Sequence, residues 1–437
     1  MTMPEPTSLA DHVELSTGFP FKSASYSQNE NDVRLVRGDN VVQGALRWDN
    51  AARWPISLLK STSEYELKPG DVVLAMDRPW IEAGLKYARI GAADTPSLLV
   101  QRVSRLRAKS QLDQGFLFYL IGSQGFTDHV LAIQTGTAVP HISGKQILSF
   151  EFPLLDLPEQ RAIAAVLGSL DNKIEQNRRT GRKLEELARA VFKAWFVDFG
   201  PVKAKAAGAT AFPGMPHETF ATLPNTLKNS PLGPVPQGWE VGTMGDSVTL
   251  SKQQVKPQAY ADETFDHFSL PAYDSSGHPV TELGSTIMSN KFSVVPGCVL
   301  FSKLNPRIPR VWLPPVAGTS RQIASTEFLV LVPQTEWCRE FVWCQLEQDV
   351  FRDLLTQGAS GTSNSHQRIR PQDFLDAPVV IAPPSVRQAL SAMVSPLLAL
   401  RGQQHQESRK LATLRDYLLP RLLSGRVRVS GRVDGNL

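Results

Sequence analysis

Two groups of cationic, amide and aromatic side chains carry the clearest chemistry in this sequence. The first group interleaves basic and aromatic residues: Lys22, Arg37, Arg47, Arg53, Lys60, Arg78, Trp80 and Lys86. The second contains Lys303, Asn305, Arg307, Arg310, Trp312 and Arg321, with no acidic residue between its ends. Arginine can form bidentate bonds to a guanine edge and asparagine to an adenine edge, while lysine mostly binds phosphate. Although any one of these residues is more often a solvated surface charge, the second group in particular favours nucleic-acid binding.

Two polar loops lie at corresponding places in the two halves of the chain. One runs from Gly136 to Gly144 and includes Thr137 and His141. The other runs from Gly361 to Gln367 and includes the candidate ligand-facing residues Thr362, Asn364 and His366. Polar residues on loops are often those that a rigid scaffold presents to a ligand. An ordinary helix-to-strand connection explains these loops equally well.

Catalytic motifs are missing from the sequence. It contains no GxxxxGK[ST] loop, no HExxH helix, no GxSxG turn and no Asp/Asn-Pro-Pro-aromatic signature of amino-methyltransferases. Its three cysteines, Cys298, Cys338 and Cys344, lack metal-ligand spacing and are predicted to be reduced, buried thiols. We therefore expect a binding protein with no metal or other cofactor of its own.

Length and composition set the broad class. With 437 residues, two or three domains are expected; 42% hydrophobic and 20% charged residues are typical of a soluble globular protein. The net charge of +4 allows a polyanionic partner without requiring one. Because no apolar run is long enough to span a bilayer and the first residues do not form a leader, we expect a cytoplasmic protein with no membrane association.

A long helix is predicted between the two groups. Alternating steps of four and three residues visit Ile163, Leu167, Leu170, Ile174, Asn177, Gly181, Leu184, Ala188, Val191 and Trp195, of which eight are apolar. This heptad pattern predicts a coiled-coil seam, with a start signal at Asp156 to Glu159 and a stop at Gly200-Pro201. A polar residue in such a seam fixes register more than it stabilises. A helix buried in a globular core remains the alternative.

The same helix pattern occurs a second time at a constant offset, which is 390 minus 163, or 227. The shifted seam consists of Leu390, Val394, Leu397, Arg401, Gln404, Ser408, Leu411, Arg415, Leu418 and Leu422. Pro396 is expected to kink or break its first turns. Since the polar, small positions fall at the middle of both helices, an antiparallel pair can share that midpoint. The Pro69-Gly70-Asp71-Val72 stretch likewise has its counterpart at Pro296-Gly297-Cys298-Val299.

The doubled pattern predicts an α+β protein: two pseudo-symmetric mixed α/β domains separated by an antiparallel pair of long coiled-coil helices. Its predicted segments are a first domain (1–155), the first long helix (156–198), a mostly extended Pro/Gly/Ala-rich linker (199–238), a second domain (239–381) and the second long helix (382–425). Within the first domain the expected elements are strands at Val33–Val36, Asp71–Ala75, Leu98–Val103 and Ile147–Phe152, and a helix at Gly115–Ile133. Phe341–Leu355 is expected to be the counterpart of that helix.

Five stretches resemble one known family, the specificity subunits of type I restriction-modification systems. They are TGFPFKSASY (17–26), LPEQRAIAAVLGSLDNKIEQNRR (157–179), WFVDFGPVKAK (195–205), LGPVPQGWEV (232–241) and LRDYLLPRLLSGRV (414–427). They touch both halves of the chain, and the helix and LLPRLLSG elements are specific. The second long helix departs from the family pattern, since it begins PPSVRQALSAMV where PxxEQxxI is usual.

The resemblance implies a function. In that family each globular unit is a target recognition domain that reads one half of a split, asymmetric double-stranded DNA sequence, and the two helices form the spacer. The subunit is not itself catalytic; it joins two modification subunits, which methylate adenine, and restriction subunits, which use ATP to translocate and cut. On this basis we expect DNA contacts from Lys22, Arg47, Arg78, Trp80, Lys86, Thr137, His141, Lys303, Asn305, Arg307, Arg310, Arg321, Thr362, Asn364 and His366.

The resemblance also suggests where the helices contact each other and their partners. The candidate spacer positions are Ile163, Leu170, Asn177, Leu184, Leu397, Gln404, Leu411 and Leu418. Four further residues, Arg178, Arg182, Phe192 and Phe196, are expected on exposed flanks that dock the modification subunits.

Three other interpretations remain open. The chain could be the specificity subunit of a related restriction enzyme in which one partner chain both cleaves and methylates. It could be a coiled-coil scaffold that joins two protein-binding modules, or an enzyme with an unfamiliar site. Salt-dependent affinity for duplex DNA separates a DNA reader from a scaffold.

Overall fold

The structure, a computed structural model, describes residues 5–136, 139–316, 320–335, 338–357 and 367–429, with the side chain of Ser276 excepted. The chain divides into two compact units. Unit 1 contains the residues up to 176 and those from 407 onward, and unit 2 contains residues 177–406.

The described residues of unit 1 that precede the long helix form short strands, four α-helices and 3₁₀ segments. Its strands are Pro6–Ser8 (β1), Val13–Thr17 (β2), Val33–Val36 (β3), Val41–Val42 (β4), Ala45–Leu46 (β5), Arg53–Trp54 (β6), Val72–Ala75 (β7), Trp80–Ile81 (β8), Gly84–Leu85 (β9), Tyr87–Arg89 (β10), Ser97–Leu99 (β11), Val103–Ala108 (β12) and Glu151–Pro153 (β13). Its helices are Leu9–His12 (α1), Gln114–Ile121 (α2), Gln124–Ile133 (α3) and Gly144–Leu148 (α4).

These elements confirm part of the local prediction. The predicted strands at 33–36 and 71–75 coincide with β3 and β7. The predicted helix at 115–133 is two helices, because Gly122 ends α2 and the Ser123 hydroxyl caps α3 by accepting from the Phe126 amide. The strand predicted at 147–152 is wrong in its first half, where Ser143 caps the short helix α4.

The first long helix, α5, spans Leu157–Phe192 and is extended by a π-type turn at Lys193–Val197. Asp156 accepts a hydrogen bond from the Glu159 amide at 2.9 Å, as the start signal predicts. The stretch that follows was expected to be mostly extended, and this is wrong for two segments, Gly200–Ala206 (α6) and His217–Thr222 (α7). Proline in the first turn of α6 favours helix formation there.

The second half repeats the first. Its strands are Leu227–Lys228 (β14), Val235–Pro236 (β15), Glu240–Thr243 (β16), Val248–Ser251 (β17), Gln254–Val255 (β18), Thr264–Phe268 (β19), Val280–Leu283 (β20), Lys291–Ser293 (β21), Val299–Ser302 (β22), Val311–Trp312 (β23), Arg321–Ala324 (β24), Phe328–Pro333 (β25) and Pro378–Ile381 (β26). Its helices are Leu270–Ser276 (α8), Arg339–Leu346 (α9), Asp349–Gln357 (α10), Pro371–Leu375 (α11) and the second long helix, Pro384–Leu423 (α12).

The two units share one sheet topology, which confirms the predicted repeat and the α+β class. A four-stranded antiparallel sheet has the order β10-β7-β12-β2 in unit 1 and β23-β22-β25-β17 in unit 2. A second sheet contains a parallel pair in each unit, β3 with β11 and β19 with β24. The offset between β7 and β22 is 299 minus 72, or 227, as the sequence repeat predicts.

The two long helices pack antiparallel within each unit. In unit 1, Asp171 of α5 accepts from Arg415 of α12 at 2.8 Å, and Lys173 lies 3.5 Å from Glu407. In unit 2, Glu185 of α5 forms an ion pair with Arg401, and the Gly181 position leaves room for the His405 ring. All twenty predicted seam residues are buried or half-buried, as the heptad pattern predicts.

Two predictions about these helices need correction. Phe192 and Phe196 were expected on an exposed flank, but they are 4% and 6% exposed and pack against Phe341 in the core of unit 2. The chain continues as helix through Pro396, so the predicted break is absent. Arg178 and Arg182 are exposed, as expected.

Candidate nucleic-acid interface

The first part of the site is the segment after β7. All four residues of β7 are fully buried, so the strand is held firmly in its sheet. The chain then turns at Arg78, which has a φ of 44°, and continues through the buried Pro79 to Trp80 and Ile81. We call Arg78–Ile81 the β7 loop. Because few non-glycine residues adopt a positive φ, this turn must be imposed by its surroundings.

Three backbone hydrogen bonds impose the turn. The Met76 amide donates to the Arg102 carbonyl at 2.8 Å, and the Ile142 amide donates to the Met76 carbonyl at 3.0 Å. The Arg78 amide donates to the Pro140 carbonyl at 2.6 Å. The polar loop that contains His141 is thereby tied to the β7 loop, so the structure brings together two features that lie far apart in the sequence.

The side chains around the β7 loop form a mixed polar and apolar surface. His141 Nδ1 lies 2.6 Å from Asp77 Oδ1, and Arg102 Nε lies 3.7 Å from the same carboxylate. Arg78 is exposed, whereas Lys86 is half-buried and burial lowers the pKa of its ammonium. The Trp80 ring is 40% exposed. This surface can offer cations, a hydrogen-bonding imidazole and an aromatic ring to a ligand.

The equivalent segment of unit 2 follows β22. Asn305 has a φ of 52°, Pro306 is buried, and the chain continues through Arg307 to Ile308. We call Asn305–Ile308 the β22 loop. The three hydrogen bonds recur: Lys303 to Glu327 at 2.8 Å, Ile369 to Lys303 at 3.0 Å and Asn305 to Gln367 at 2.8 Å, each from amide to carbonyl.

Three predicted DNA-binding residues lie in or next to the β22 loop. Arg307 is exposed and lines an open depression together with Asp349, Arg352, Asp353 and Thr356 of α10. Lys303 and Asn305 are half-buried. Among the described residues, the buried Oδ1 of Asn305 has no hydrogen-bond partner. A buried polar atom without a partner costs free energy, so this oxygen is a place where the loop carries an energetic cost.

Two predicted readers of unit 2 lie elsewhere. Arg310 is only 9% exposed and forms two bonds with the Asp274 carboxylate, from Nε at 2.6 Å and from Nη2 at 2.8 Å. Its prediction as a base reader is therefore wrong, because its guanidinium fork already holds a protein carboxylate. Arg321 belongs to β24, where it lies 4.8 Å from the Tyr260 ring centre and 3.8 Å from Glu263.

The remaining candidates are placed as follows. Lys22 is exposed before a 3₁₀ turn at Ser23–Ser25, and Arg47 is exposed after β5, where its amide donates to the Asn40 carbonyl at 2.8 Å. Thr137, Thr362, Asn364 and His366 lie outside the described residues.

Sequence reasoning missed three residues of this surface. Ile81 and Ile308 are 40% and 44% exposed at equivalent positions of the two loops. Arg368 occupies in unit 2 the position of His141 in unit 1, and its Nη2 donates to Glu327 at 2.9 Å. The signal was present, because the repeat offset aligns Arg-Pro-Trp-Ile with Asn-Pro-Arg-Ile.

A second cluster of charges lies where α5 meets α9 inside unit 2. The Glu347 side chain is 8% exposed and lies 3.4 Å from Arg189 Nη1. Burial raises the pKa of Glu347 to about 7, although Arg189 acts in the opposite direction. An ion pair would suggest the charged form, but the cost of removing the carboxylate from water is the larger effect.

This carboxyl makes the stability of unit 2 depend on pH. Since its folded pKa lies above its ordinary value of 4.5, the stabilisation is complete below pH 4.5 and is lost as pH rises towards 7. We expect the contribution of Glu347 to fall by about 3 kcal/mol over that range. Urea unfolding of the native chain and of Glu347→Gln at several pH values measures it. His405 makes the folded state more stable as pH rises, because burial lowers its pKa to about 4. Only the difference in stability between the native chain and Glu347→Gln therefore reports on Glu347. Identical pH profiles would contradict the assignment.

Other site types are not supported among the described residues. No group of three or more histidine, cysteine or acidic side chains there could hold a metal ion. Cys298, Cys338 and Cys344 are free and buried, as predicted, and burial raises the pKa of Cys298 to about 11. Within the described ranges, no helix is long and apolar enough to cross a membrane.

Comparison with known proteins identifies relatives over both halves. Residues 5–186 match the family model described as "Type I restriction modification DNA specificity domain". The chain is 34% identical over 188 residues to the type I restriction enzyme MjaVIII specificity subunit of Methanocaldococcus jannaschii, a match that covers 43% of this chain and 44% of that protein. It is 24% identical over 356 residues to the MjaIX specificity subunit of the same organism, which covers 78% of this chain and 75% of that protein.

A solved structure shows the same fold. The crystal structure of the type I restriction-modification system S subunit from M. genitalium aligns with a TM-score of 0.55 at 13% identity. The alignment covers 96% of this chain and 99% of that chain. The MjaVIII match, by contrast, spans less than half of that relative's length.

Proposed function

We propose that this chain is a specificity subunit of the type I restriction-modification family and that it recognises a split DNA sequence through its two units. Unit 1 reads one half of the sequence and unit 2 reads the other. The observation that carries the proposal is the repeated fold. The two sheets have the same strand order, and the equivalent strands β7 and β22 are each followed by a loop that contains an exposed arginine. Two copies of one reader with different side chains suit a bipartite, asymmetric site.

Direct readout by loop side chains is the mechanism that the geometry supports best. Arg78 and Arg307 are exposed arginines on loops fixed by backbone hydrogen bonds, so each can present its guanidinium fork to a guanine edge. Neighbouring cations, such as Lys86 in unit 1, can bind phosphate and position the duplex.

The chain acts in this proposal as a non-catalytic subunit. It docks two modification subunits, which methylate adenine, and restriction subunits, which cleave. The exposed Arg178 and Arg182 of α5 are the candidate contacts for the modification subunits. The segments 1–155, 156–198, 199–238, 239–381 and 382–425 remain the proposed functional divisions, with the long helices as spacers.

Mapping of methylated adenines tests the proposed function. DNA from cells that carry this gene with its neighbouring partner genes is sequenced for N6-methyladenine. We expect one split sequence with a fixed unread gap. A continuous site, or an isolated complex whose affinity for duplex DNA does not fall with salt, would rule the proposal out.

Arg307→Ala gives a residue-level prediction. A bidentate contact contributes about 1 to 3 kcal/mol of discrimination, so its loss should relax specificity at one base of the half-site that unit 2 reads. Methylation mapping of the variant measures this. Lys228→Ala, at an exposed position outside the loop, is the control and should leave the sequence unchanged. If binding to all sequences weakens equally instead, Arg307 contacts only phosphate.

A further inference from the structure

The β7 and β22 loops share features that their strands alone do not require. The two loops correspond residue by residue at the repeat offset (305 minus 78, or 227): Arg78 is equivalent to Asn305, Pro79 to Pro306, Trp80 to Arg307 and Ile81 to Ile308. In both loops the first residue has a positive φ, the proline is buried and the isoleucine is exposed.

Their backbone conformation is costly and is repeated. Among the described residues, five non-glycine residues have a positive φ, and two of these are Arg78 and Asn305. Such residues persist only where the surroundings hold them, and they cluster at functional sites. Here the same three hydrogen bonds hold both turns. The two loops thus have the same backbone conformation at their first residue and the same backbone hydrogen bonds, although their side chains at the first and third positions differ.

The exposed isoleucines need a separate explanation. One exposed apolar side chain on a protein surface is ordinary. However, Ile81 and Ile308 are exposed at the same position of two loops that differ at their first and third residues. In unit 1, β8 pairs with β9 so that Ile81 lies opposite Gly84, next to the two-residue turn of the hairpin. The apolar side chain is therefore held at the outer part of the loop.

Cations near each isoleucine indicate the partner. Arg78 lies in the first loop and Lys86 follows it in the sequence, while Arg307 lies in the second loop and Lys303 precedes it. Phosphate attracts such cations, while in the major groove the thymine methyl group offers an apolar contact beside the polar base edges. A loop that carries both an exposed isoleucine and an exposed arginine matches this combination of groups.

We propose that the β7 and β22 loops are the segments that enter the DNA groove, one in each half-site, and that Ile81 and Ile308 make apolar contacts with base edges there. This inference rests on the proposed function and specifies the side chains that perform it. Asn305 reads beside Ile308, and Arg78 beside Ile81, so the two loops select different bases from one backbone framework.

Isoleucine variants test this role in the complex of the full chain with its modification subunits. The DNA is the duplex site that methylation mapping yields, together with duplexes altered in one half only. Ile81→Ala and Ile308→Ala are compared with Ile56→Ala and Val280→Ala, whose native side chains are 61% and 48% exposed outside the loops. We expect each loop variant to weaken binding of the mapped site roughly 5- to 30-fold, which corresponds to the loss of a few buried methyl or methylene contacts.

The effect should also be confined to one half-site. Ile81→Ala should cause no further loss on a duplex whose matching half is already altered, while Ile308→Ala should behave in the same way for the other half. Size-exclusion chromatography of each complex gives the second readout. Loop variants that bind DNA like the two controls, or that lose the modification subunits while the DNA affinity of the remaining complex is unchanged, overturn the inference. If the unaltered complex has no preferred site, the proposed function itself fails.

Discussion

Gly18→Ala is expected to destabilise unit 1 by about 3 kcal/mol or more. Gly18 follows β2, and its amide donates to the Val103 carbonyl at 3.1 Å. A Cβ at this position would overlap the backbone carbonyl of Val100, which no side-chain rotation can relieve. The next residue, Phe19, bridges to Val100, so β2 and the β11–β12 connection would have to separate. Overpacking against fixed backbone belongs to the costly class of substitutions.

Gly125→Ala is the matched control. Gly125 is exposed in α3 of the same unit, and an added Cβ would meet only ordinary van der Waals distances of 3.9 Å or more. We expect this variant to be unchanged or more stable by up to about 1 kcal/mol, since alanine favours helix over glycine. Hydrogen exchange of β11 and β12 measures the stability of unit 1 separately from unit 2. Equal protection of these strands in the two variants would contradict the close approach at Gly18.

Alanine at Phe192 or Phe196 is expected to cost unit 2 about 3 to 5 kcal/mol each, because both rings are buried. The Phe196 ring centre lies 5.0 Å from that of Phe341 and 5.6 Å from that of Trp239. The two rings thus join the end of α5 to the following domain segments. Urea unfolding of the chain, followed by the fluorescence of Trp239 and its neighbours, measures the loss.

Leu187→Ala provides the comparison on the same helix. Leu187 is 50% exposed, and we expect its replacement to change stability by less than about 0.5 kcal/mol. A Phe196→Ala chain that keeps its stability but no longer binds the modification subunits would restore the docking role first expected for this side chain.

Local periodicity predicted the long helices because apolar residues that recur every three or four positions mark the buried face of a helix within the sequence of the helix itself. The seam residues from Ile163 to Trp195 needed no knowledge of the rest of the fold. Phe192 and Phe196 could not be placed in this way, since their burial depends on Trp239 and Phe341, which come from far along the chain. The π-type turn at Lys193–Val197 also shifts the helix face just where these rings lie.

For the candidate interface, residue types in the sequence pointed to candidate binding residues, but the sequence did not show which side chains pair with each other in the fold. The sequence identified Arg78 and Asn305, and the repeat offset could have aligned them. It did not show that Arg310 is held by Asp274, because the two lie 36 residues apart and each alone resembles an exposed charge. Nor did it predict the positive φ of Arg78, which results from hydrogen bonds to distant carbonyls.

The division of the chain has a consequence for synthesis on the ribosome. Unit 2 is one continuous stretch and can complete its core once residue 406 has emerged. Unit 1 cannot, because Leu422 and Leu423 belong to the same buried cluster as Leu9 and Phe116. The half translated first is therefore the half finished last, and a nascent chain stopped before α12 would expose the apolar surface that those two leucines cover.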